Sequence, residues 1–167
     1  EAAEAAGKEL AFEASVGGGI PIIDPLKHSL IANEITSVMG IVNGTTNYML
    51  TRMADNGLSY EDALHEAQQK GFAEADPTAD VGGFDAAAKI AILASIAFNS
   101  RVTLDDVFTD GITNISPVDI EAARDMGYVI KLLAIAHRRE DGVDVRVHPT
   151  MIPTNHQLAT VNGVFNA

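Results

Sequence analysis

The stretch GFAEADPTADVGGFDAAAK, residues 71–89, joins a polar loop to an apolar helix. The loop, residues 72–82, carries Glu74, Asp76 and Asp80, with Asp85 just beyond it, and Pro77, Gly82 and Gly83 restrict and shape its turn. From Phe84 to about Asn99 the side chains are apolar almost all round, which predicts a helix buried on most sides. Lys89 is the only charge in it after Asp85.

Outward from this stretch, toward the N-terminus, Ser59 and Asp62 form a start of the capping-box type for a helix over residues 60–70, which Gly71 closes. Before it, Thr45 or Thr46 caps a helix that runs through Ala54 and ends at Gly57. Residues 35–42 read as a strand, and so do residues 10–16. After the latter, Gly17, Gly18 and Gly19 turn the chain and Pro21 opens a helix to about Ala32. Residues 1–8 are alanine-rich and favour a helix with no capping residue ahead of it, so the sequence reads as beginning inside an element. Toward the other end, Ser116 and Pro117 start a short helix ending at Gly127. Residues 128–138 and 143–152 then flank the turn residues Glu140, Asp141 and Gly142 as a hairpin. Helices and strands interleave and then give way to paired strands. The prediction is an α+β fold: a single domain with a mixed sheet and helices packed mainly on one face.

Composition sets the outer bounds. A chain of 167 residues that is 47% hydrophobic and 20% charged has the size for one core. Its net charge of -12 opposes a phosphate backbone or an anionic membrane surface, so neither nucleic acid nor membrane is expected as a partner. The absence of cysteine excludes a disulfide framework; it fits a cytoplasmic protein and equally a periplasmic one. Residues 86–98, the most apolar stretch, are too few to span a bilayer.

Asp85 and Lys89 are four apart, so they project from one helix face, with the carboxylate in the first turn where the helix dipole favours it. Two readings stand side by side. One is a surface ion pair worth roughly 0.3 to 0.5 kcal/mol. The other is a lysine inside a buried helix, which must be paired or shifted in pKa and is suited to proton transfer. The loop carboxylates would then hold the amino group and hydroxyl of a small polar substrate. Calcium is an alternative occupant for so many acids, although the EF-hand spacing is absent. The triple glycine lacks the G-x-G-x-x-G pattern of a dinucleotide loop; its carbonyls, with Glu13, are candidates to coordinate a cation. The five histidines show no zinc-site spacing, and no G-x-S-x-G elbow occurs.

Three motifs resemble one family. They are FEASVGGGIPII at 12–23, NGTTNYML at 43–50 and AQQKGFAEADPTADVGGFDAAAK at 67–89, and over nearly its whole length the sequence resembles the substrate domain of homoserine dehydrogenase. The resemblance implies an NAD(P)-dependent oxidoreductase that interconverts L-homoserine and L-aspartate 4-semialdehyde in threonine, methionine and isoleucine biosynthesis. It implies Lys89 as proton donor and acceptor, Glu74 and Asp85 as ligands of homoserine, and Asp80 as a further member of that network. Gly71 matches a position where backbone meets the nicotinamide cofactor. Glu13 with the carbonyls of Val16, Gly18 and Ile20 matches a monovalent cation site, sodium being the expected ion. A cytoplasmic homodimer built largely by the sheet is also implied.

Family members carry a Rossmann domain and a T-x-N-K lysine upstream, and neither pattern occurs in these residues, so residues 1–167 are expected to be part of a longer enzyme and inactive alone. Some relatives carry tyrosine where Phe72 stands, which removes a phenol hydrogen bond. Two other readings compete: a non-catalytic amino-acid-binding or dimerisation module, and the substrate domain of a related NAD(P)-dependent oxidoreductase.

Overall fold

The computed structural model describes residues 2–167; Glu1, the first residue of the helix expected over 1–8, lies outside the described residues. That helix is one turn, Ala2–Ala5 (α1). In place of the strand expected at 10–16 there is irregular chain, because Ala14 takes a left-handed backbone (φ 58°) that ends the alternation an extended segment requires. The helix expected from Pro21 to Ala32 shrinks to a π turn, Pro25–Ser29. Helical backbone begins only at Ile23, and Pro25, which has no N–H to return to the carbonyl four residues back, sits in its first turn, where that loss is tolerated.

Next come β1 (Ser37–Gly40), α2 (Gly44–Asn56), α3 (Tyr60–Gln69), α4 (Thr78–Val81) and α5 (Phe84–Ala97). They are followed by β2 (Phe108–Thr109), α6 (Pro117–Asp125), β3 (Tyr128–Arg139) and β4 (Gly142–Pro153), with 3-10 turns at Leu104–Asp106 and Gln157–Thr160. Ser59 caps α3 as expected, accepting from the Asp62 N–H. The cap of α2 is Asn43 rather than Thr45 or Thr46: its side chain accepts from the Thr46 N–H at 2.9 Å. Thr45 instead donates to the Phe72 carbonyl at 2.6 Å, tying the first turn of α2 to the end of α3. The 72–82 loop contains the single turn α4, with Pro77 at its N-cap and Asp76 just ahead, accepting from the N–H and hydroxyl of Thr78.

The sheet has the order β1-β3-β4-β2, with β1 and β4 antiparallel to β3 and β2 parallel to β4, so it is mixed. Alternation along β3 sends Leu132, Ala134 and Ala136 into the main core with Met49 and Leu50 of α2, Ile90 and Leu93 of α5, and Ile120 of α6. Leu133 and Ile135 point to the opposite face, where Ala159 of the last 3-10 turn covers them together with Ile41 and Ile152. Met49, Ile90 and Leu133 are fully buried, and each such side chain contributes about 1.5–3 kcal/mol of apolar burial. No described helix is long and apolar enough to cross a membrane.

Two close backbone approaches fix where α5 begins. Gly83 (φ 84°) turns the chain into this helix with the Asp110 carbonyl and the Thr109 methyl each 3.2 Å from where a β-carbon would stand. Gly111 lies against the chain of Val81 and Gly82, and the Ile112 N–H donates to the Val81 carbonyl at 2.8 Å.

Candidate functional site

The site forms where the turn after β1 meets the start of α5. Asp85 lies in the first turn of α5 and Lys89 one turn later, and the lysine Nζ donates to Asp85 Oδ2 at 2.7 Å and to the Val42 carbonyl at 3.0 Å. The helix is apolar because Ala86, Ala87, Ile90, Ala91, Leu93 and Ala94 are buried. The charged pair occupies the remaining strip, with side chains 26% and 32% exposed, so it is neither sealed in the core nor free on the surface. Two of the ammonium's three N–H groups are directed at these acceptors, and the third engages no partner among the described residues.

Asn43 completes the cluster, a membership that sequence spacing does not reveal. Its amide Nδ2 donates to Asp80 Oδ1 at 2.6 Å and to Asp85 Oδ2 at 2.9 Å, while its Oδ1 accepts from the N–H and the hydroxyl of Thr46. One buried side chain therefore caps α2 and bridges two carboxylates that are five residues apart in sequence. Asp85 lies in the first turn of α5, where the helix dipole favours an anionic group, and Asp80, a residue of α4, meets the cap of α2 through Asn43. With Lys89 paired to Asp85, the cluster holds two carboxylates and one ammonium. It presents a proton-carrying nitrogen beside a net negative surface, and that combination suits a small molecule with a hydroxyl or carbonyl at one end and an ammonium at the other.

The other expected members fall outside this hydrogen-bonded group. Glu74 is exposed; its backbone carbonyl is held by Gln68, and its carboxylate makes no hydrogen bond or ion pair among the described residues. Asp76 is taken up by Thr78, whose hydroxyl and N–H lower its pKa. Gly71 follows α3 with φ 75° and open space where a β-carbon would stand. Phe72 packs edge-on against Tyr48 with ring centroids 4.9 Å apart.

Glu13 has a different local task. Its carboxylate accepts from the backbone N–H groups of Asp24 (2.9 Å), Ile23 (3.0 Å), Ile22 (3.2 Å) and Ala14 (3.4 Å), and these bonds, that from Asp24 foremost, lower its pKa. Beside it a cavity of about 220 Å³ is lined by Glu13, Ala14, Gly17, Gly19, Ile20 and Pro21. The carbonyls of Val16, Gly18 and Ile20 accept no hydrogen bond among the described residues. Of the residues expected to hold a cation, Glu13 and Ile20 line this cavity, while Val16 and Gly18 are not among its lining residues. Among the described residues no group of three or more His, Cys, Asp or Glu side chains is arranged to hold a metal.

Comparison with known proteins places these residues in context. The family model for homoserine dehydrogenase matches residues 21–167. A homoserine dehydrogenase of Corynebacterium glutamicum is 56% identical across the whole chain, and one of Synechocystis is 55% identical across 99% of it. The chain spans 39% of the length of each of these relatives. The crystal structure of a homoserine dehydrogenase from Thiobacillus denitrificans superposes with a TM-score of 0.96 at 48% identity, covering 99% of this chain and 38% of that one. Residues 13–20, with the cation-site candidates, precede the family-model match but lie inside the region aligned with the Corynebacterium relative.

Proposed function

The chain belongs to the homoserine dehydrogenase family, and from that premise we propose that it forms the substrate-binding and proton-transfer part of an NAD(P)-dependent oxidoreductase that interconverts L-homoserine and L-aspartate 4-semialdehyde. The observation that supports this most directly is the Lys89 ammonium, held between Asp85 and the Val42 carbonyl with one N–H uncommitted. Lys89 gives that proton to the carbonyl oxygen of the semialdehyde in the reducing direction, and its neutral amine takes the 4-hydroxyl proton in the oxidising direction, directly or through a water. Asp85 holds the amine of Lys89 in place and, with Asp80 and Glu74, offers carboxylate oxygens to the substrate's ammonium. The nicotinamide, when bound, exchanges a hydride with C4 of homoserine, and the open backbone at Gly71 is this chain's contribution to holding it.

The test is catalytic. With these residues replacing the matching stretch of the Corynebacterium glutamicum relative, Lys89→Ala is expected to lower kcat by 10² to 10⁴-fold, the usual contribution of a general acid-base group. A Lys89→Ala enzyme that kept more than about a tenth of the parent kcat would remove the lysine from the chemistry.

Three further features belong to the same reading. Glu13 and the carbonyls of Val16, Gly18 and Ile20 hold a monovalent cation, sodium by preference, that rigidifies the loop entering the domain. The protein is a cytoplasmic homodimer that uses residues 1–167 as its dimerisation region. Met39 and Phe108, 41% and 65% exposed on or beside the sheet, supply apolar area for that contact.

A further inference from the structure

Lys131, on β3, is a buried charged group that the proposed chemistry leaves unused, and it is 3% exposed. Its ammonium donates to Asn47 Oδ1 of α2 at 3.1 Å, to the Val161 carbonyl at 2.6 Å and to Asn162 Oδ1 at 3.0 Å, so all three N–H groups end on neutral oxygens. Burial pushes the amine down to about 8, against the pull of the Asp55 carboxylate. Asn47 carries the network onward, donating to the carbonyls of Val161 (3.1 Å) and Phe165 (3.3 Å). Thr51, one turn later on α2, accepts from the Gly163 N–H at 3.1 Å and donates to the Asn47 carbonyl. The segment 161–165 is thus stapled along α2 by three polar side chains.

A second set of contacts lies at the other end of the same segment. Ala167 and Ile41 exchange both backbone hydrogen bonds, at 2.6 and 2.9 Å. A β-carbon at Gly40 would stand 2.6 Å from the Ala167 carbonyl oxygen, and one at Gly44 would stand 2.6 Å from that of Val164. The segment therefore presses on both sides of residues 41–43, the short link whose Val42 carbonyl receives Lys89 and whose Asn43 amide bridges Asp80 and Asp85.

We propose that Lys131 is a positioning residue: through Asn47 and the 161–167 segment it clamps the Val42–Asn43 corner on which the Lys89 cluster is assembled. The idea rests on the proposed role of that cluster, but its geometry is testable without turnover. In ¹H–¹⁵N spectra of the chain, the Asn43 side-chain amide reports the corner, and the exchange of the paired Ile41 and Ala167 N–H groups reports the strap. Lys131→Met is expected to shift the Asn43 pair and to speed exchange at Ile41 and Ala167 by about tenfold or more relative to Leu133 in the same strand.

Thr51→Val, which keeps the side chain's size and removes one staple, is expected to act in the same direction by a smaller factor. It keeps the question answerable if Lys131→Met fails to fold. Phe98→Leu, a core change at the far end of α5, controls for general destabilisation and is expected to leave the Asn43 signals in place. Unchanged Asn43 signals and uniform exchange in both strap variants would overturn the clamp. A clamp that holds while Lys89→Ala keeps its kcat would instead overturn only the proton-transfer reading.

Discussion

Replacing Gly111 with alanine tests how the candidate site is braced. The added β-carbon would land on the Val81 carbonyl oxygen and stand 2.7 Å from the α-carbon and 2.8 Å from the carbonyl carbon of Gly82. All three are backbone atoms, so no flexible side chain can turn away, and the two chains must separate. Separation strains or breaks the Ile112 N–H to Val81 carbonyl bond of 2.8 Å. Overpacking of this kind usually costs about 1–3 kcal/mol, and a lost backbone hydrogen bond adds roughly 1 kcal/mol. The expected loss is about 2–4 kcal/mol, which for a domain of this size lowers Tm by roughly 5–15 °C. Urea unfolding monitored by circular dichroism, with a thermal scan beside it, reads both. Because Val81 and Gly82 lead directly into α5, the Asn43 to Asp85 contact should loosen as well. A Gly111→Ala protein within about 0.5 kcal/mol of the parent would show that the two loops do not bear on each other as described.

The same geometry sets two other outcomes. Glu66 accepts from Lys70 Nζ at 2.7 Å, from the Tyr48 hydroxyl at 2.7 Å and from Arg52 at 3.1 Å, and these bonds, that from Lys70 first, hold its pKa down to about 2. A folded value below the unfolded one means that stabilisation is complete above about pH 4.5 and is lost as the pH falls toward 2. Urea midpoints of the parent and of Glu66→Gln should therefore converge across that window, and a constant gap would contradict the assignment. Asn43→Ala removes a helix cap and two charge-assisted hydrogen bonds, which together predict a loss of about 2–4 kcal/mol. Thr45→Ala, which removes one exposed bond, should lose less, and equal losses in the two variants would deny Asn43 its bridging role.

What the sequence announces depends on how far each interaction reaches. The caps at Ser59 and Ser116 and the hairpin around residues 140–142 are readable because donor and acceptor lie within a few residues of one another. The Asp85 and Lys89 pair is readable for the same reason, since helical spacing alone brings it together. Residues 10–32 are misread because Glu13 satisfies backbone groups nine to eleven positions ahead, an arrangement with no periodic signature. Asn43 reaches 37 and 42 residues forward to its two carboxylates, and Lys131 reaches 84 residues back to Asn47. For Asn43 a local signal does exist: an asparagine followed by Gly-Thr-Thr at the end of a strand is a favoured helix cap, and Thr45 and Thr46 compete for that role in the sequence.

The Asp85 and Lys89 pair sits on a single turn of one helix, and this makes its chemistry a matter of helical phase. Each residue added or removed between the two would rotate the lysine by about 100° about the axis of α5. One such step takes the ammonium off the strip that faces Val42 and aims it into the alanines and isoleucines of the core, or away from the cluster altogether. Side-chain substitutions near the site leave that phase intact. Among single-residue changes, an insertion or deletion within residues 86–88 should therefore be the most damaging to the site, even though all three of those residues are alanine.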